Sequence, residues 1–349
     1  MYARRHMRCR VIINTILLAA AIAAQGVIGA SQTPTATDGE RDLGVKLYKE
    51  GRIPEAISAL RNAVKKNKDD SAAWYYSGLA LLRQKDFKKA SKAFETSISI
   101  RPELAGAHVG LAFTLLLRNK LKDAKLEAQK TLALEPNNSE AHYILGVVAL
   151  REGSKKEALE HAETAIRLDD KLPGPYLLKS QALVHFDGVD DVLFLTPDES
   201  SGEQVIRYGQ AADSLENYLQ LAPESSEKQT WSEQLDSLRF YIAAHTKEGK
   251  RNYRLYLGSE VTTKARLISK PEPTYTEGAR NGQVSGTVVL KAVFASDATV
   301  KHIIVVRALP EGLTAKAIAA ARSIRFVPAT LNGQSVSMWM QLEYNFSLY

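Results

Sequence analysis

Residues able to do chemistry are present but not grouped. The 349-residue chain has seven histidines and one cysteine. His108 and His142 stand 34 positions apart, so they occupy one position of a repeat and invite reading as a metal pair. That position normally packs against a neighbouring helix, and no third ligand accompanies them. Asp187, Asp190, Asp191, Asp198 and Glu199 form an acidic run whose spacing fits no standard calcium loop. It reads as a solvated loop. Cys9 lies in an apolar leader, so the body of the chain has no disulfide, Cys-based metal site or thiol chemistry. Phosphate-binding loops, dinucleotide glycine motifs, nucleophile elbows and zinc-protease helices are all missing. The expectation is a binding protein rather than an enzyme, with no catalytic residues, metal or cofactor.

The elements that would present a binding surface fall into two blocks. From about residue 40 to 246 the sequence repeats every 34 residues. Ser71–Leu104 carries Trp74, Gly78, Leu81, Ala90, Phe94 and Pro102. The same pattern returns in Ala105–Asn138 and Ser139–Leu172, and an earlier copy holds Leu43, Gly44, Leu47, Ala56, Leu60 and Ala63. Small residues suit close helix crossings, large apolar residues fill between them, and proline ends the second helix. A fifth copy begins at Pro173. Its second helix is expected only around Ala211, after an insert over 186–206, and residues 225–246 follow as a capping helix.

These residues resemble tetratricopeptide repeats, which implies an all-α solenoid with a concave groove. The first helix of each repeat would line it, through Ala72, Tyr75, Leu79, Leu82, Val109, Phe113, Leu116, Tyr143, Val147, Leu150, Leu177 and Gln181. Such a wall is apolar and aromatic, and the expectation is an occupied groove, because monomers seldom expose so large an apolar patch.

The second block is Pro271–Phe346. Val284–Ala295 alternates with period two, Ser296-Asp297-Ala298 reads as a turn, and Thr299–Arg307 returns. Leu313, Ala317 and Ile324 mark a short helix. Asn332-Gly333 is a hairpin signal before the alternating strand Val336–Phe346. The block is thus a small α+β unit of order β-β-α-β. Pro273-x-Tyr275, Ala279-Arg280, Gly286-Thr287-Val288-Val289, Ala319-Ala320-Ala321 and Arg325-Phe326-x-Pro328-Ala329 make it resemble the TonB C-terminal domain. It departs from that pattern at Tyr275-Thr276, where Tyr-Pro is usual, and at Asp297-Ala298, where Asp-Gly is usual. The resemblance implies a periplasmic module that grips an extended segment of an outer-membrane receptor. Strand addition to the last strand would put Trp339, Gln341 and Glu343 beside the incoming chain. Tyr275 and Arg280 join them by family analogy.

Residues 1–30 have a basic start and an apolar core, a layout shared by a cleaved signal peptide and an uncleaved anchor in the inner membrane. Either places the body outside the cytoplasm. Residues 31–39 read as a linker, 40–246 as the repeat array, 247–270 as a basic linker that adds a strand to one of the domains, and 271–349 as the C-terminal domain. Residues 1–30, 31–249 and 250–349 carry net charges of +4, −4 and +7. No basic stripe with interleaved aromatics accompanies the excess, so proteins, not nucleic acid, are the expected partners. The partners implied are a TonB-dependent outer-membrane receptor and an inner-membrane proton-driven motor complex, with energy transduction for transmembrane transport. The alternative is an adaptor or assembly scaffold of the cell envelope without energy coupling. The Pro-rich spacer usual in TonB proteins is missing.

Overall fold

The structure is a computed structural model that describes residues 36–185, 200–246, 248–249 and 253–348. The basic leader with Cys9 and the acidic insert from Phe186 to Glu199 lie outside the described residues. No helix among the described residues is long and apolar enough to cross a membrane. Two compact units divide between Pro175 and Tyr176.

The first unit is built of helix hairpins. They are α1 (Ala36–Lys49) with α2 (Ile53–Lys66), α3 (Ser71–Arg83) with α4 (Phe87–Ile100), α5 (Ala105–Leu117) with α6 (Leu121–Leu134), and α7 (Ser139–Arg151) with α8 (Lys155–Leu168). One backbone feature marks every hairpin turn. Gly51, Lys85, Asn119 and Gly153 recur at the 34-residue interval with φ of +77, +66, +55 and +88°. A left-handed residue just past the first helix lets the chain reverse, and glycine adopts it without strain. Asp70, Asp86 and Asn138 cap the following helices by accepting the N–H groups of Ala73, Lys89 and Ala141.

Close packing explains the small residues of the repeat. A Cβ on Gly78 would come within 2.7 Å of the Phe94 ring, and one on Gly110 within 2.6 Å. One ring of α4 is therefore wedged between α3 and α5. Tyr75 lies over Gly106, and Tyr143 lies over Gly174 in the same way. α5 is buried nearly all round, which suits its uniformly apolar sequence. α2 keeps Ala56, Leu60 and Ala63 inward and its lysines outward.

The division at Pro175 falls inside the stretch that the sequence assigns to a single array. α9 (Pro173–His185) straddles it, and α10 (Ser200–Leu221) and α11 (Lys228–Ala244) share a unit with the sheet. α10 begins at Ser200, inside the stretch read as an insert over 186–206, and not around Ala211 as the sequence suggests. The remaining elements are β1 (Leu255–Tyr256), β2 (Arg266–Ser269), α12 (Glu277–Asn281), β3 (Gly286–Phe294), β4 (Val300–Arg307), α13 (Leu313–Arg322), β5 (Arg325–Val327), β6 (Ala329–Leu331) and β7 (Gln334–Phe346). The sheet runs β1-β7-β3-β4, with β6 folded back on β7, and β2 pairs separately with β5.

β3 and β7 pair antiparallel from Gly286↔Phe346 to Phe294↔Met338. This register turns Met338, Leu342, Tyr344 and Phe346 into a core that also holds Leu313, Ala317 and Ala321 of α13. The hairpin turn at Asn332 and Gly333 has φ of +50 and +82°, as a two-residue type I′ turn requires. The β-β-α-β order is as the sequence implies. The linker contributes β1 and β2. The short helix α12 has no counterpart in the sequence reading; Thr276 starts it by accepting the Ala279 N–H at 3.2 Å.

Candidate functional site

β7 is the longest strand of the sheet, and its two sides are treated differently. One side is fully paired with β3 over Met338–Phe346. The other pairs in parallel with β1 at Ser337 and Met338, while β6 folds back on the start of the strand at Gln334–Val336. From Trp339 to Phe346 no described strand pairs with that second side. The Glu343 carbonyl points off it and accepts the Lys270 ammonium at 2.6 Å. Backbone groups alternate in direction along a strand, so Gln341, Asn345 and the Glu343 N–H face this side, where no described strand pairs with them. The arrangement can accept an extended peptide.

The opposite edge of the sheet is closed. α11 lies along β4, and the Gln234 Oε1 accepts the buried Val305 N–H at 2.7 Å. Phe240 stacks on His302, with centroids 3.5 Å apart and planes at 3°. Arg322 at the end of α13 pairs with Glu233 at 2.5 Å. Tyr241 reaches past the edge to the outer face, 5.6 Å from the Trp339 ring, with the Lys291 ammonium 5.1 and 5.5 Å from these two rings.

The residues singled out from the sequence are spread along the open edge. Trp339 sits at its start, half-buried beside Tyr241, so much of its face is already used. Gln341 is half-buried and its amide donates to Glu343 at 3.1 Å; Glu343 is exposed. Tyr275 stands at the far end, edge-on to Phe346 at 5.6 Å, with its hydroxyl donating to the Val284 carbonyl. Arg280 is exposed, with its guanidinium 5.9 Å from the Tyr275 ring. Burial raises the Tyr275 hydroxyl pKa and the nearby Arg280 charge opposes the shift. Burial also pushes Tyr344 up to about 12, with Glu272 adding to it, and Lys270 lies 4.6 Å over that ring. Lys270, Gln234, Tyr241 and Lys291 carry no signal in the sequence. Each is a lone polar or aromatic residue whose role depends on a long-range neighbour.

The expected groove of the repeat array is corrected at six positions. Tyr75, Leu79, Leu82, Val109, Phe113 and Leu116 are all buried, at 3% exposure or less, and belong to the core. Tyr75 is closed off by Gly106 and by edge contacts with Tyr76 and Phe94. Tyr143 and Val147 are half-buried and keep some exposed surface. His108 packs, as its position implies. Its Nδ1 lies 2.6 Å from Glu127 and its Nε2 2.9 Å from the Pro102 carbonyl.

Comparison with known proteins finds both blocks read from the sequence. Residues 271–348 match the model of the Gram-negative bacterial TonB protein C-terminal. Residues 41–105 and 81–147 match tetratricopeptide repeat models. Solved structures similar to the chain include TTC0263, a thermophilic TPR protein of Thermus thermophilus, at 19% identity over 58% of this chain and 99% of that one, with a TM-score of 0.44. MamA 41-end from Desulfovibrio magneticus RS-1 is 19% identical over 54% of this chain and 97% of its own, at a TM-score of 0.43. PilF of Pseudomonas aeruginosa is 17% identical over 63% and 92%, at 0.46. No curated protein matches the chain.

Proposed function

We infer that a chain carrying tetratricopeptide repeats over 41–147 and a TonB C-terminal domain over 271–348 is a non-enzymatic protein-interaction protein of the cell envelope. Its C-terminal domain captures an extended segment of an outer-membrane receptor by adding it as a strand to β7. The observation that carries this reading is the unpaired side of Trp339–Phe346, in a sheet whose other edge is occupied by α11. Main-chain hydrogen bonds would supply affinity, and Trp339, Gln341 and Glu343 would select among side chains on the outer face. Tyr275 and Arg280 would meet the segment where it passes Phe346. The basic, apolar leader supports export, and energy transduction through an inner-membrane motor complex follows only where that leader stays in the membrane. As an envelope scaffold without energy coupling the chain would use the same edge.

The test is binding of labelled peptides from periplasm-facing segments of outer-membrane receptors to the full chain. Glu343→Pro removes a main-chain donor on the open side, where an edge strand tolerates proline. Saturable binding that weakens about tenfold or more in Glu343→Pro, with thermal unfolding little changed, is expected. Failure of every peptide to bind, or binding indifferent to the proline, sinks the reading.

A further inference from the structure

His142 of α7 and His161 of α8 face each other within one repeat. Their Nδ1 atoms are 3.1 Å apart, and their rings are tilted at 45° with centroids 5.3 Å apart. The surrounding repeats show which part of this is packing. Trp74 Nε1 donates to the Lys68 carbonyl at 2.8 Å, and one repeat on, His108 Nε2 meets the Pro102 carbonyl at 2.9 Å. His142 holds the same position of the series, where the Pro136 backbone favours a proton on its ring. A ring nitrogen thus meets the turn before the first helix at Trp74 and His108. What changes is the partner of the other nitrogen. In the third repeat it is the Glu127 carboxylate, and in the fourth it is a second imidazole, 19 positions along in both cases.

With its proton on Nε2, His142 keeps a lone pair on the Nδ1 that faces His161. Cis ligands at metal–nitrogen distances of about 2.0–2.1 Å are separated by about 2.9–3.4 Å, which spans the gap seen here. We propose that His142 and His161 form a two-imidazole chelate for a divalent first-row transition metal of the Zn²⁺, Ni²⁺ or Cu²⁺ class, with water completing the coordination. Neutral imidazole suits these ions. Burial lowers the pKa of both rings, and the charges of Arg167 near His142 and of Lys125 near His161 act in the same direction, so protons compete weakly. Glu157 and Glu160 near His161 offset those cations. No group of three or more His, Cys, Asp or Glu side chains able to hold a metal occurs among the described residues, so the ion would keep solvent positions and exchange readily. A bound ion would bridge α7 to α8, and the site lies wholly within the first unit, independent of β7.

The test is calorimetric titration of the full chain with Zn²⁺ alone at neutral pH, with thermal unfolding in parallel. His142→Gln and His161→Gln each keep an amide able to hydrogen-bond but offer no imidazole. One saturable equivalent is expected, raising the melting temperature. Each variant should weaken binding about tenfold or more while unfolding normally without metal. Absence of binding up to about 1 mM Zn²⁺, or affinity unchanged in either variant, overturns the proposal. Electron paramagnetic resonance of the unmutated chain with Cu²⁺ gives a readout independent of any folding defect. Coupling to two nitrogens is expected, and coupling to none or one overturns the chelate.

Discussion

The two edges of the C-terminal sheet meet the same physical problem and solve it differently. An edge strand exposes a row of unpaired N–H and C=O groups that invites pairing with other chains. At β4 the answer is a helix: α11 supplies a side-chain acceptor for Val305, a ring over His302 and an ion pair to Arg322. At β7 the cover stops early. The two residues of β1 cover Ser337 and Met338, and beyond that, among the described residues, the Lys270 ammonium meets the Glu343 carbonyl. One edge is closed with buried contacts, and the other meets an exposed lysine.

Four measurements bear on that contrast. The largest effect is expected from Tyr241→Ala. Tyr241 is 3% exposed and touches both Tyr208 of α10 and Trp339 of β7, so its loss should cost about 3–5 kcal/mol in denaturant unfolding. Gln234→Ala comes next. It leaves the buried Val305 N–H without its acceptor, a cost of about 1–3 kcal/mol, and hydrogen exchange at Val305 should accelerate while exchange in β3 changes less. Equal acceleration in both strands would mean that α11 does not cap the edge specifically.

Acidification should act more mildly. Burial lowers the His302 pKa, and the neighbouring Lys301 charge adds to it. With a folded value below the unfolded one, its stabilisation is present above the ordinary value of about 6.5 and is lost as pH falls through the folded value. His302→Asn, which tolerates the φ of +47° found there, should flatten that part of the pH profile. His142 and His161 are shifted in the same direction and would keep their own share. The smallest effect belongs to Arg322→Ala. The Arg322–Glu233 pair is partly exposed, so its loss should cost no more than about 1 kcal/mol and should fade in high salt.

Local patterns made much of this fold legible. The alternation of Val336–Phe346 gave the right core face, because a one-residue slip would have put Tyr344 and Phe346 in water. Asn332-Gly333 located the hairpin, and the 34-residue spacing located the helix pairs. What was hidden depends on distant partners. Gln234 looks like any polar helix residue until β4 is beside it. The repeat pattern assigned α10 and α11 to the array because it carries no information on what their outer faces meet. Tyr75 and Phe113 look like groove residues by position, yet their burial is decided by how closely the glycines let neighbouring helices approach. At the open edge, residue type marked the strand correctly but gave no hint that Trp339 is shared with Tyr241 and Lys291.

The placement of α11 bears on the autonomy of the C-terminal domain. The boundary near residue 271 marks where the familiar motif begins, but the compact unit reaches back through α11 and α10. A fragment cut at that boundary would keep its motif and lose the helix that guards β4. Two such fragments could then zip together through the bared strand, giving a dimer produced by the scissors and not by the protein.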